Sequence, residues 1–172
     1  VTATGGVSYS WSGGATPTTA DNTFNAPGTY TVTVTGANGC TSTAQIVITE
    51  DVTPPTAGIT NNTGTTVLTC TTTSISVTAT GGVSYSWSGG ATPTTADNTF
   101  NAPGTYTVTV TGANGCTSTA QIVITEDVTP PTAGITNNTG TTVLTCTTTS
   151  ISVTATGGVS YSWSGGATPT TA

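Results

Sequence analysis

The chain has no lysine, arginine, histidine or methionine in 172 residues. Without Lys or Arg it has nothing to displace counterions from phosphates, which excludes nucleic acid as a natural partner and disfavours anionic membranes. No His or Lys is present to activate the many Ser and Thr hydroxyls, and carboxylates at this density need no catalytic explanation, so the reading is non-enzymatic. The missing lysine also rules out Lys-to-Asn/Asp isopeptide crosslinks and removes every trypsin site. No apolar run approaches the 18 residues of a membrane helix. There is no signal-peptide pattern either, and an internal stretch of a longer protein would not show one. The only charged side chains are six carboxylates, Asp21, Glu50, Asp51, Asp97, Glu126 and Asp127, for a formal net charge of −6.

What the sequence does have is an internal period. The string VTATGGVSYSWSGGATPTTA begins at Val1, Val77 and Val153, a spacing of 76 residues, and every comparable residue is identical. Such a period is the mark of a repeat architecture. It divides the chain into residues 1–50, the C-terminal part of one repeat; 51–126, a complete repeat; and 127–172, the N-terminal part of the next. The chain is accordingly expected to be a stretch of a longer array. Identity without drift suits a product whose value lies in length and number.

Low charge and a Thr-rich remainder would suit disorder, but the apolar residues alternate with a period of two, which disordered tails lack. Ile75, Val77 and Ala79 alternate with Ser76 and Thr78. Val83, Tyr85 and Trp87 alternate with Ser84 and Ser86. Tyr106, Val108 and Val110 face inward against outward Thr105, Thr107 and Thr109, and Ala120, Ile122 and Ile124 close the unit. The turns are NNTG, APG and ANG. With a first segment around residues 57–68 and a strand near Phe100, this predicts an all-β fold of about seven short strands per repeat and no helix. The count is that of an immunoglobulin-like sandwich. A core of this size is marginal unless stapled or supported by neighbours.

The run YSWSGG from Tyr85, followed by APGTYTVTVTGANGC from Ala102, resembles the PKD-like and hyalin-like immunoglobulin-fold repeats of bacterial surface proteins. The TPPTAG segment after the acidic pair is similar to their linker. The resemblance covers the whole repeat and implies a spacer module of adhesins, extracellular filaments or secreted enzymes. WSGGAT stands where PKD modules carry an acidic W-D-F-G-D-G segment, so a role for those carboxylates does not transfer. Trp87 matches the central-strand tryptophan of such sandwiches, and its register makes it a core residue with Tyr85 and Tyr106.

Each repeat supplies two cysteines, seen as Cys40, Cys70, Cys116 and Cys146. An even count in a β-protein with secreted character argues for disulfides. Zinc is a poor alternative without histidine or a C-x-x-C pair. Two connectivities are open, besides free thiols. Cys70 could bond Cys116 within a repeat. In immunoglobulin-like topology, however, these two turns lie at opposite poles, beyond the ~4.4–6.8 Å that a disulfide spans between Cα atoms. Each could instead bond its complement in the adjoining repeat, beyond the ends of this chain.

The junction pairs Glu50–Asp51 and Glu126–Asp127, together with Asp97, offer oxygen ligands for calcium; the alternative is a solvated acidic linker, and no D-x-D-x-D-G loop is present. Asn61 and Asn137 each begin an Asn-Asn-Thr sequon, a weak glycosylation motif. The function expected is structural: an extracellular or cell-surface filament or adhesin stalk whose repeats contact their neighbours and other copies of the fibre. The alternative is a multivalent module binding carbohydrate or ice through outward Thr rows.

Overall fold

The computed structural model describes residues 1–168, and all regular structure among them is β, with no helix. Twelve strands follow in chain order: β1 (Ser8–Trp11), β2 (Gly28–Thr35), β3 (Thr41–Ile48), β4 (Gly58–Asn61), β5 (Val67–Thr69), β6 (Ile75–Thr80), β7 (Ser84–Trp87), β8 (Asp97–Phe100), β9 (Gly104–Thr111), β10 (Thr117–Asp127), β11 (Gly134–Asn137) and β12 (Val153–Thr156).

The middle of the chain is sandwich-like. One sheet has the order β4-β6-β8 and the other β5-β10-β9-β7. A single buried cluster draws on both: Ile75, Val77, Ala79 and Phe100 from the first, Leu68, Trp87, Val108, Val110 and Ile124 from the second. The period-two pattern explains the division. In β9, Val108 and Val110 are fully buried while Thr105 is exposed. The antiparallel register Ala120↔Val108 and Ile122↔Tyr106 keeps the apolar residues of β10 on the same face.

The structure refines two readings. The apolar segment at residues 57–68 is two strands, because the Asn61–Gly64 turn carries the chain across. β4 pairs antiparallel with β6, whereas β5 pairs parallel with the end of β10. Asn61 shapes that turn by accepting from the Thr63 and Gly64 N–H groups at 3.0 and 3.2 Å, a local bond that competes with strand pairing. Val83, read as inward, precedes β7 and is 70% exposed. Its N–H donates to the Thr111 carbonyl, which fixes the turn without turning the side chain inward.

The period supplies an internal control on what closes the core. The sheet β1-β2-β3 has the register of β7-β9-β10, with Trp11↔Val32 matching Trp87↔Val108. Phe24 is only half-buried, however, while its counterpart Phe100 is fully buried. On the other side, Leu144 is 62% exposed and Leu68 3%. Identical residues differ because, among the described residues, only the central stretch has both sheets; local sequence forms the strands, and burial needs the second layer.

Candidate functional site

The segment leading into the central sandwich is fixed to it by side-chain hydrogen bonds. TPPTAG, expected as a linker, lies along the turn between β9 and β10. The Asn114 side chain reaches across, its Nδ2 donating to the Thr53 carbonyl at 2.9 Å and the Asp51 carbonyl at 3.3 Å. Its Oδ1 accepts from the Cys116 N–H at 3.1 Å. One amide thereby joins the leading segment to the turn. Ser118 Oγ donates to the Pro55 carbonyl. Two prolines suit this segment because they fix φ and have no N–H to satisfy. Asp51 accepts from the Thr53 N–H at 3.1 Å. That bond first, and the Asn114 amide second, hold its carboxyl below the ordinary value of 3.8.

The four cysteines are unbonded, with Cys116 half-buried and Cys40, Cys70 and Cys146 exposed. Cys40 and Cys116 occupy equivalent positions just before β3 and β10, each with its N–H on an Asn oxygen two residues earlier. Cys70 follows Thr69, which pairs with Asp127 at the far end of β10. The eleven residues of β10 therefore lie between Cys116 and Cys70, about 33 Å at ~3.3 Å per residue. That is several times the span of a disulfide, so pairing within a repeat does not fit this architecture.

The carboxylates are spread out. Asp97 lies on β8, where its side chain accepts from Thr78 Oγ1 at 2.6 Å and its carbonyl from the Thr92 and Thr95 hydroxyls. Glu126 and Asp127 end β10, opposite Leu68 and Thr69. Glu50 and Asp51 belong to the leading segment. Among the described residues no group of three or more His, Cys, Asp or Glu side chains comes together to hold a metal. The expectation of calcium at Glu50, Asp51, Asp97, Glu126 and Asp127 is not met by this geometry, because separate strands carry the carboxylates and hydroxyls already serve Asp97.

Trp87 is core, at 5% exposure, with its Nε1 donating to the Thr95 carbonyl at 2.9 Å. It meets Phe100 edge-on at 5.6 Å between ring centroids, and Phe100 stacks on Tyr106 at 3.9 Å. Tyr85 and Tyr106 pack partly buried against the cluster. Their hydroxyls donate to the Gly82 and Ala102 carbonyls, which satisfies the polar tip of each ring.

Sequence reasoning missed Asn98, which is 2% exposed. Its Oδ1 accepts from the Thr92 and Thr99 N–H groups at 2.9 and 2.8 Å, and its Nδ2 donates to the Gly89 carbonyl at 2.8 Å. It ties down the long excursion between β7 and β8. The available signal was a polar residue in phase with Phe100 on a strand whose other inward positions are apolar. Asn22 does the same in the first stretch, from Gly13 to Thr16 and Thr23.

In the sequons, Asn61 Nδ2 donates to the Thr65 carbonyl and Asn137 Nδ2 to the Thr141 carbonyl, both at 2.8 Å. The nitrogen a glycan would take is committed to the turn at both positions. The expected hydroxyl rows exist: Thr105, Thr107 and Thr109 lie opposite Val123, Gln121 and Thr119 on one sheet face, with Ser86 on the far side of Thr109. Comparison with protein-family models and with curated proteins finds no match.

Proposed function

We propose that this chain is the structural repeat region of an extracellular filament or adhesin stalk, in which head-to-tail immunoglobulin-like domains give length and stiffness. The observation carrying this reading is the coincidence of two roles at one position of the period. Asp127 is the last residue of β10. Its counterpart one period earlier, Asp51, is the residue whose carbonyl Asn114 holds. In an uninterrupted array the last strand residue of one domain is thus the first residue fixed to the next, leaving no free residue between them. Domains joined by flexible linkers move relative to one another by default; a joint with no slack resists that motion.

Other features support the same reading. The central stretch runs from β4 to β10 in one sheet of three strands and one of four, a division that an immunoglobulin-like sandwich would have. The composition, acidic and without basic residues, leaves neighbouring repeats and other copies of the fibre as the natural partners, outside the cell. Nothing in it supports catalysis. A second reading, multivalent binding of carbohydrate or ice, draws on the ordered hydroxyl face around Thr107 and Thr109. Outward hydroxyls are also what a strand facing water uses, which leaves the structural reading stronger.

Electron microscopy of the native material tests the proposal. Thin, straight filaments with an axial repeat of roughly 35–40 Å, one sandwich length of strand at ~3.3 Å per residue plus its loops, are expected. Flexible strings without an axial repeat would overturn it, and retention on glycan or ice by such strings would favour the second reading.

A further inference from the structure

The two cysteines of a repeat lie at opposite poles of its sandwich, and each pole faces a different neighbour. At the leading pole, the Asn114 amide holds the Cys116 N–H with one end and the Asp51 carbonyl with the other. At the far pole, Asp127 pairs with Thr69, and Cys70 follows. Asp51 and Asp127 are the same position of the period. Superposing them brings the Cys70 of one repeat and the next repeat's counterpart of Cys116 to the same aspartate.

We propose that Cys70 of each repeat forms a disulfide with the Cys116 counterpart of the following repeat, a covalent staple across every joint. The inference rests on the head-to-tail reading above. It accounts for three observations together: the separation of Cys70 and Cys116 along β10, their positions at the two poles with Cys70 exposed and Cys116 half-buried, and the absence of lysine for any other covalent lock. Each bond joins two Sγ atoms with release of two protons and two electrons. The acceptor is a disulfide oxidant, reduced to two thiols as it passes its bond to the protein by exchange. A staple at a joint without slack limits bending and splaying of the two domains, and a pulling force is carried by covalent bonds on both sides of the contact.

Thiol counting tests this directly. The 172-residue chain has four cysteines, and the proposed partner of each belongs to the adjoining repeat at a position outside it. In a buffer of reduced and oxidised glutathione, with the monomer isolated and any glutathione adduct counted by intact mass as a free thiol, all four are expected to remain free of protein disulfides; two would mean a Cys70–Cys116 bond and would overturn the proposal. The same chain lengthened by one 76-residue period gains two cysteines, six in all. One complete junction pair then exists, so four free thiols are expected again, with one disulfide. Six free thiols would mean no staple, and two would mean pairing within repeats; either overturns the proposal. In the lengthened chain Cys70→Ser should leave all five remaining thiols free, whereas Cys146→Ser should leave three, because Cys146 has no complement there. Failure here and failure of the fibre reading are separable. Straight filaments with six free thiols per lengthened chain would sink the staple alone. A staple in material that forms no filament would sink the fibre reading alone.

Discussion

Asn98 shows how much one buried polar side chain carries in a core this small. Its amide satisfies two N–H groups and one carbonyl around the excursion from Trp87 to Asp97, and the backbone there has no ladder to fall back on. Gly90 lies directly against that amide at φ +98°, where a Cβ would collide with Asn98, so the loop closes around Asn98 with no room for a side chain in between. Asn98→Ala leaves the three backbone groups without partners, at about 1–3 kcal/mol for each buried group left unsatisfied and less where water enters. The expected net loss is about 2–4 kcal/mol, read as a fall in the urea midpoint with the slope unchanged. A shift below about 0.5 kcal/mol, the size of an ordinary surface change, would show that the amide is replaceable. The sequence made Trp87, Tyr106 and Phe100 legible because apolar residues announce themselves by period. Asn98 occupies the same inward phase but is polar, and alternation alone reads it as a break in the face.

At the scale of the element, the alternation that predicted the strands says nothing about which sheet each joins. β5 is the clearest case. Three residues long, it is held by parallel pairing with the last part of β10 and by Leu68 beneath it, a long-range partnership invisible in local pattern. The corresponding residues 143–145 show what happens without that partner. They form no strand, and Leu144 stands 62% exposed. β3 likewise stops at Ile48, where its counterpart β10 continues to Asp127. The pairing of β5 and the extension of β10 are one event. Leu68→Ala in the 172-residue chain should therefore cost about 2–5 kcal/mol, as for other buried leucines, and should loosen the end of β10. Leu144→Ala, the same substitution in the same local sequence, should stay within about 0.5 kcal/mol of the parent. Urea unfolding of the pair followed by tryptophan fluorescence makes the comparison. Equal effects would mean that burial across the sheets does not decide the cost.

For the whole molecule, on the filament reading proposed above, stiffness depends on whether each joint has one geometry or many, and the bonds of Asn114 to Asp51 and Thr53 assign that selection to it. The sandwich would close without it, because the Asn114 side chain is exposed and belongs to no core. Its two donor bonds to Asp51 and Thr53 instead orient the leading segment against the β9–β10 turn. Asn114→Asp separates the two roles. A carboxylate keeps the oxygen that accepts from the Cys116 N–H, so the turn survives. It has no donor for the two carbonyls and repels them, with Asp51 adding a like charge nearby. Domain stability should then change by less than about 1 kcal/mol, the range for an exposed hydrogen bond. The orientation of consecutive domains should broaden. In filaments assembled from repeats all carrying the substitution, the persistence length measured by electron microscopy is expected to fall by about twofold or more, toward the free motion of weakly joined domains. The comparison is made under reducing conditions, where no disulfide can hold the joint in place of the amide. Filaments as straight as the parent under those conditions would place stiffness in the domain faces, and the Asn114 bonds would then serve only to order the leading segment.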